Sequence, residues 1–165
     1  MNWTIFAIEA LALLALFTLM VMLPARKNLA VGVYNYPREI QEEYFKTHPR
    51  VETEPLSKRV VLVKSAGILF FVIVLALGGW LCGARGFWQG FGYAVLMFAL
   101  VGAYDTFFLD WVLFARMKMF RLPGTEHMDA AYAQKWFHLK GMLFPGSLFA
   151  VIIGLLVGAV LALVG

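Results

Sequence analysis

The chain has 165 residues, of which 62% are apolar or aromatic and only 15% are charged. So few charges cannot cover the surface of a soluble domain of this size, so the composition argues against a soluble globular protein and favours a membrane protein. The formal net charge of +4 comes from basic residues beside apolar runs, without a basic and aromatic nucleic-acid motif, so we expect no nucleic-acid partner.

Four apolar stretches are each long enough to cross a bilayer. A hydrocarbon core of about 30 Å requires about 20 apolar residues in a helix. The sequence therefore predicts an all-α fold, an integral membrane four-helix bundle that forms a single transmembrane domain over residues 1–165. The predicted spans cover residues 3–23, 60–82, 87–115 and 142–164.

The distribution of Lys and Arg predicts how these spans are oriented. Residues 24–59 contain seven basic residues and residues 116–141 contain five, whereas the turn at residues 83–86 contains only Arg85. By the positive-inside rule, both long loops lie in the cytoplasm and both termini lie outside. We therefore expect a multi-pass protein of the cell membrane whose partners include membrane lipids.

Each cytoplasmic loop is predicted to contain a short interfacial helix. In the first loop, Pro37 suits the first helical position, and Ile40 and Tyr44 form an apolar stripe one turn apart. In the second loop, the hydroxyl of Thr125 suits the N-cap of a helix over residues 126–138. Such helices would form the cytoplasmic rim of the bundle.

Two carboxylates in the third span are its most informative polar residues. Along a regular helix that starts at Phe87, Asp105 and Asp110 lie about 27 Å and about 35 Å from the start, near the cytoplasmic edge of the hydrocarbon core. An α-helical separation of five residues turns them about 140° apart, so we do not expect a side-by-side pair. Carboxylates at this depth require partners or water. With these two, the candidate polar site comprises Lys64, Arg121, Glu126, His138 and Lys140.

The polar cluster has two interpretations. It is either a structural network of ion pairs that fixes helix register or a functional site that opens to the cytoplasm. The functional interpretation predicts a small transport or accessory subunit, and its alternative is a membrane-embedded enzyme acting on a lipid or lipid-linked substrate from the cytoplasmic side. His127, Asp129 and His138 lack the spacing of a metal site, so we predict no metal and no cofactor.

Glu9 is a separate ionisable residue near the outer end of the first span. No basic residue is available at its depth, so it cannot form an ion pair there. A hydrogen-bonded Glu9 that faces the bundle is one interpretation, and a proton or cation relay is the other.

A ladder of small residues marks the last span. Its members recur every fourth position and are Gly146, Ala150, Gly154, Gly158 and Ala162. Such a stripe allows another helix backbone to approach closely. We expect tight helix packing within one chain, and the alternative is a homo-oligomer through the last span.

The tryptophans predict an aromatic belt. They lie at or beside span ends, and they are Trp3, Trp80, Trp88, Trp111 and Trp136. Aromatic rings at these positions are typical of residues that anchor a helix at the membrane interface, so we assign them to the belt and not to a ligand cage.

A set of polar motifs follows the middle of the third span. They read Asp105-x-x-x-x-Asp110-Trp111, Arg121-x-Pro123-Gly124-Thr125-Glu126-x-Met128 and His138-x-Lys140-Gly141. Over roughly residues 100–160 they resemble an uncharacterised family of small bacterial multi-span membrane proteins. The resemblance implies a bacterial inner-membrane protein, and it brings no assigned activity or ligand.

Overall fold

The computed structural model describes residues 1–50 and 57–164, apart from the side chains of Arg26, Val31, Arg59 and Lys64. All regular elements within these ranges are helical, which confirms the all-α prediction. The α-helices are α1 (Trp3–Lys27), α2 (Arg38–Tyr44), α3 (Lys58–Leu81), α4 (Gly86–Tyr104), α5 (Asp129–Tyr132), α6 (Lys135–Gly141) and α7 (Ser147–Val164). A π-helix over Asp105–Phe114 continues α4, another over Met142–Gly146 joins α6 to α7, and 3₁₀ helices cover Leu29–Asn35 and Lys118–Phe120.

Four helices in the described ranges are long and apolar enough to cross a membrane, as the sequence predicts. They are Trp3–Ala25, Val60–Leu81, Gly86–Phe114 and Asp129–Val164, with mean hydropathies of 2.5, 2.7, 1.5 and 2.9. The fourth begins well before the predicted position 142, and its backbone is kinked at Phe144, where φ is −153° and ψ is 121°. The kink follows from Pro145, because proline disfavours the helical conformation of the residue before it.

The chain divides into two compact units, which we describe separately. Among the described residues, unit 1 comprises 1–13, 57–101 and 145–164, and unit 2 comprises 14–50 and 102–144.

Unit 1 is a four-helix bundle with one apolar core. The buried core side chains come from all four long helices and from the turn after α3. They are Phe6, Ala10, Val72, Leu75, Ala76, Cys82, Ala84, Tyr93, Ala94, Met97, Ile153, Val157 and Leu161. At the turn, the amide of Asn2 donates to the carbonyl of Cys82 at 2.6 Å, and the Cys82 thiol donates to the carbonyl of Asn2 at 3.1 Å. These bonds fasten the start of α1 to the end of α3.

The middle of the small-residue ladder packs against α4 within the same chain. A Cβ atom on Gly154 would lie 2.7 Å from Cγ2 of Val95, and one on Gly158 would lie 2.8 Å from the carbonyl oxygen of Phe87. Of the remaining ladder residues, Ala150 is buried, Gly146 is half-buried and Ala162 is exposed. The close approach therefore requires glycine at the two central positions, and a homo-oligomer through this span stays a prediction.

Gly158→Ala should lower the free energy of unfolding by about 1–3 kcal/mol, because the new methyl group overlaps the Phe87 backbone. Gly92→Ala is the matched control, since Gly92 lies in α4 with nothing within 4 Å of its Cβ position. Both changes carry the same gain in helix propensity. Unfolding of each purified variant in mixed micelles measures the difference, and equal stabilities would show that this contact does not constrain α7.

Unit 2 has its own apolar core, built by the two long loops. Its buried side chains are Val33, Ile40, Tyr44, Leu122, Ala131 and Tyr132. As predicted, a short helix follows Pro37 and buries Ile40 and Tyr44. The second loop packs on this helix, because α2 contacts α5.

The prediction of one helix over residues 126–138 is wrong. The structure contains two short helices, α5 and α6, with a break at residues 133–134. Thr125 is fully buried and its hydroxyl donates to the carbonyl of Leu122 at 2.8 Å, so it closes a turn instead of capping a helix. Gly124, with φ of 85°, takes the left-handed position that this turn requires.

Candidate functional site

An aspartate and a histidine meet at the contact between α6 and the π-helix that continues α4. Nδ1 of His138 lies 2.8 Å from Oδ2 of Asp110, and their side chains are only 15% and 20% exposed. The π-helix supplies the carboxylate and α6 supplies the imidazole, because the chain reverses through the second loop between them. His138 thus gives Asp110 the hydrogen-bond partner that a carboxylate in an apolar helix requires.

The π-helix overturns the predicted separation of Asp105 and Asp110. In this segment the backbone bonds run between residues five apart, as from the amide of Ala115 to the carbonyl of Asp110. Residues five apart in a π-helix lie roughly one turn above each other, so the two carboxylates share a side of the helix. Asp105 is half-buried and interacts electrostatically with both Asp110 and His138. The three residues therefore form one cluster.

A cavity of about 180 Å³ opens beside the Asp110–His138 pair. Its polar and aromatic lining comprises Asp110, Trp111, Arg116, Tyr132, Gln134, Lys135 and His138. Two cations and one hydrogen-bonded carboxylate therefore face the same small volume. This composition suits an anionic ligand beside a group that transfers protons.

Trp111 departs from the predicted aromatic belt. Trp3, Trp80, Trp88 and Trp136 are exposed, but Trp111 is half-buried in the cavity wall. The ammonium of Lys135 lies 5.0 Å from the centre of its indole ring, a cation–π contact. Nε1 of Trp111 is buried and has no hydrogen-bond partner among the described residues.

Arg121 belongs to the scaffold behind the cavity. It is 6% exposed, forms an ion pair with Asp129, and donates from its guanidinium to the carbonyl of Glu126 at 2.5 Å. The same guanidinium lies 5.1 Å from the ring of Tyr132, which lines the cavity. Arg121 therefore positions the wall and not a ligand.

The hydroxyl of Tyr132 completes this scaffold. It accepts a hydrogen bond from the amide of Leu122 at 2.9 Å and shares another with the hydroxyl of Thr125 at 2.7 Å. These groups are buried, and leaving one of them unpaired would cost about 1–3 kcal/mol. The network therefore fixes the ring of Tyr132 in the cavity wall.

Tyr36 connects the first loop to the site. Its hydroxyl donates to the carbonyl of Phe120 at 2.9 Å, and its ring meets that of Tyr132 edge to face, with 5.8 Å between centroids. Burial raises the pKa of Tyr36, and Tyr132 and Asp110 raise it further. The phenol therefore stays protonated and keeps this bond across the physiological range.

The structure brings part of the predicted polar site together. Asp105, Asp110 and His138 form the cluster, whereas Glu126 and Lys140 are exposed and do not line the cavity. The side chain of Lys64 lies outside the described part of the chain. Sequence reasoning did not select the five other polar or aromatic lining residues, which are Trp111, Arg116, Tyr132, Gln134 and Lys135. The sequence contained one signal for this lining, because Lys135 lies about one helical turn before His138.

The described residues contain no cluster that could hold a metal ion, and they form a second cavity. Among the described residues, no group of three or more His, Cys, Asp or Glu side chains is placed to hold a metal ion. A second cavity of about 280 Å³ lies in unit 2 near Tyr44, and Lys27 is the charged residue in its lining. Its lining contains no carboxylate or imidazole, unlike that of the smaller cavity.

In unit 1, Glu9 is hydrogen-bonded to Tyr93. The Tyr93 hydroxyl donates to Oε2 of Glu9 at 2.9 Å. Gly78 allows the approach, because a Cβ atom there would lie 2.5 Å from the Tyr93 hydroxyl and 3.5 Å from the Glu9 carboxyl. The arrangement supplies the partner that the hydrogen-bonded interpretation of Glu9 requires.

Tyr93→Phe should lower the free energy of unfolding by about 1 kcal/mol, because it removes the donor to Glu9. Glu9→Gln should keep close to wild-type stability, since its amide oxygen still accepts from Tyr93. Detergent unfolding of both variants measures these effects. Loss of cellular function in a stable Glu9→Gln variant would instead support the proton or cation relay.

Comparison with known proteins finds no match: no family model, curated protein or solved structure is significantly similar to this chain.

Proposed function

We propose that the chain is a multi-pass protein of the cell membrane with both termini outside and both long loops in the cytoplasm. The four apolar helices and the concentration of Lys and Arg in those loops support this orientation. In this arrangement the Asp110–His138 pair and its cavity face the cytoplasmic leaflet, where membrane lipids are direct neighbours.

Single introduced cysteines test the orientation, because the native Cys82 is fully buried and should not react. We expect Arg85→Cys to react with a membrane-impermeant maleimide in intact cells, and His127→Cys to react only after permeabilisation. Both native residues are exposed, so the reagent can reach either site. Labelling of His127→Cys in intact cells would reverse the proposed topology.

We propose further that the protein is a membrane-embedded enzyme that acts on a lipid or lipid-linked substrate from the cytoplasmic side. The observation that carries this proposal is the 2.8 Å bond between Asp110 and His138 at the wall of a cavity that also contains Arg116 and Lys135. A carboxylate that holds a histidine is a recurrent arrangement for general acid–base catalysis.

The pair can transfer a proton through the outer nitrogen of the imidazole. When Nδ1–H of His138 donates to Asp110, Nε2 carries the free lone pair and can accept a proton from water or a hydroxyl group. Asp110 then stabilises the imidazolium, and return of the proton to a leaving group completes the cycle. Arg116 and Lys135 supply positive charge for an anionic substrate.

This proposal is better supported than transport. A transport role invokes Glu9 as a relay, but Glu9 already accepts from Tyr93 at a site where Gly78 leaves no room for a methyl group. The cationic residues and the acid–base pair instead share one cavity in unit 2. An accessory subunit would not require an acid–base pair in a cavity.

Asp110→Asn and His138→Ala should each lower turnover at least about 100-fold, because general acid–base catalysis contributes typically 10²–10⁴-fold. The measurement is mass spectrometry of lipids after incubation of the purified protein with vesicles made from membrane lipid extract. Wild-type protein should convert one lipid species, and the two variants should not.

His127→Ala is the matched control, since this histidine is exposed and does not line the cavity. Membrane abundance and thermal unfolding of all variants separate loss of chemistry from loss of folding. If both cavity variants lose abundance but retain turnover per folded molecule, the pair is structural and the enzymatic proposal fails.

A further inference from the structure

The larger cavity of unit 2 contains no group that the proposed enzymatic function uses. Its volume is about 280 Å³, and its lining residues come from the end of α1, the segment that follows it, α2 and the second loop. Ala25, the last residue of the first apolar span, belongs to this lining. The cavity therefore opens where a membrane-spanning helix reaches the level of the lipid headgroups.

Lys27 brings an uncompensated positive charge to this cavity. It is exposed and forms no ion pair with any residue that the structure describes. The lining contains no carboxylate, whereas the two cations of the smaller cavity share it with Asp110. A cation at the end of a span that lacks a counterion within the protein attracts an anionic headgroup.

Tyr44 adds a hydroxyl group whose hydrogen-bonding capacity the protein does not use. Tyr44 is only 7% exposed, and the side chains of Thr47 and His48 bond to its backbone carbonyl and not to its hydroxyl. The hydroxyl has no partner within residues 1–50 and 57–164. It retains accessible surface, because the fully buried unpaired side-chain atoms in these ranges belong to Trp111 and Arg121. A ligand in the cavity that Tyr44 lines can therefore accept from it.

Two polar lining groups are held in position before a ligand arrives. The His48 ring stacks on the Tyr44 ring with 4.1 Å between centroids, and the Phe45 ring meets it edge to face at 5.5 Å. The side-chain oxygen of Asn28 accepts from the amide of Ala30 at 2.9 Å, which leaves its NH2 group as a donor for a ligand. Such groups lose little conformational freedom on binding.

We propose that this cavity binds the phosphate of an anionic phospholipid, with Lys27, Tyr44 and Asn28 as its donors. The inference rests on the proposed membrane insertion and is independent of the enzymatic proposal, because the lining contains no acid–base pair. The lipid is a bound neighbour and not a substrate. A zwitterionic headgroup fits this cavity less well, since the lining offers no carboxylate to its ammonium group.

The size and the apolar rim of the cavity fit a lipid headgroup. The volume of about 280 Å³ lies near the lower end of the range of roughly 300–1,000 Å³ typical of small-molecule sites, so the acyl chains must remain outside. Met119 in the lining is 56% exposed, and Leu23, one turn before Lys27 on α1, is 54% exposed. These side chains offer the acyl chains an apolar surface beside the bound phosphate.

Lipid binding to the purified full-length protein in neutral detergent tests this proposal. The probes are a short-chain phosphatidylglycerol, the phosphatidylcholine with the same acyl chains, and inorganic phosphate, each titrated by calorimetry. We expect phosphatidylglycerol to bind at least about tenfold more tightly than either of the others. Equal affinity for the two lipids would show that headgroup charge is not recognised, and equal affinity for inorganic phosphate would show that no lipid is required. Either result overturns the proposal, as does an absence of binding.

Lys27→Gln and Tyr44→Phe assign the binding to this cavity. Each should weaken phosphatidylglycerol binding about tenfold, the effect of one hydrogen bond to a charged group. Tyr44→Phe should not change the thermal unfolding of the lipid-free protein, because the hydroxyl has no partner in the described part of the chain. Lys118→Gln and Tyr34→Phe are the matched controls, since both residues are exposed and lie outside the cavity lining. Wild-type affinity in either cavity variant contradicts the proposal.

Lys135→Gln separates the two cavities, because Lys135 lines only the smaller one. It should bind phosphatidylglycerol with wild-type affinity, even if the protein proves not to be an enzyme. If Lys135→Gln loses this binding and Lys27→Gln retains it, the lipid binds in the smaller cavity. That result would overturn the inference and leave the enzymatic proposal standing.

Discussion

The hydrogen bond between His138 and Asp110 is the interaction on which the organisation of unit 2 depends. A carboxylate near the end of an apolar span is costly unless a partner removes its charge from the lipid. The partner comes from α6, so the second loop must fold back far enough to bring His138 within 2.8 Å. The buried network of Arg121, Thr125 and Tyr132 holds the loop in that conformation. The apolar core around Tyr132 folds the loop, and the pair joins α6 of that loop to the π-helix.

Irregular backbone flanks this pair on both sides, and Pro145 accounts for the kink on the C-terminal side. The π-helix over Asp105–Phe114 precedes the loop, and the π-helix over Met142–Gly146 follows α6. A π-helix has poorer backbone geometry than an α-helix and is rare unless side-chain contacts compensate for it; such segments are frequent at functional sites. Here the wider turn carries Asp105 to the side of Asp110 and His138, which a regular α-helix would not do. The π-helix therefore supplies both carboxylates of the cluster, and α6 supplies the histidine.

The sequence predicts the four long apolar helices and the short helix α2 well, because the length of an apolar run and an apolar stripe are local properties of the chain. It identifies Asp110 and His138 as members of a polar site for the same reason, since ionisable residues near spans are conspicuous. It does not predict that Asp105 and Asp110 lie on the same side of the helix. The predicted angle between them assumes an α-helix with 3.6 residues per turn, and no local sequence pattern indicates a π-helix. The sequence also does not predict that Trp111 lines the cavity, since a tryptophan at the membrane interface and one in a cavity wall have the same local sequence pattern.

Satisfied and unsatisfied polar groups are unequally divided between the two units. In unit 1, Glu9 is paired with Tyr93, and the Cys82 thiol donates to a backbone carbonyl. The described buried side-chain nitrogens and oxygens without a partner are Nε1 of Trp111 and Nε of Arg121, and both lie in unit 2. A bundle evolved only for stability gains nothing from an orphaned donor, because each one weakens the fold. Arg121 belongs to the scaffold behind the cavity and Trp111 to the cavity wall, so these buried unpaired groups of the described residues concentrate around the proposed site.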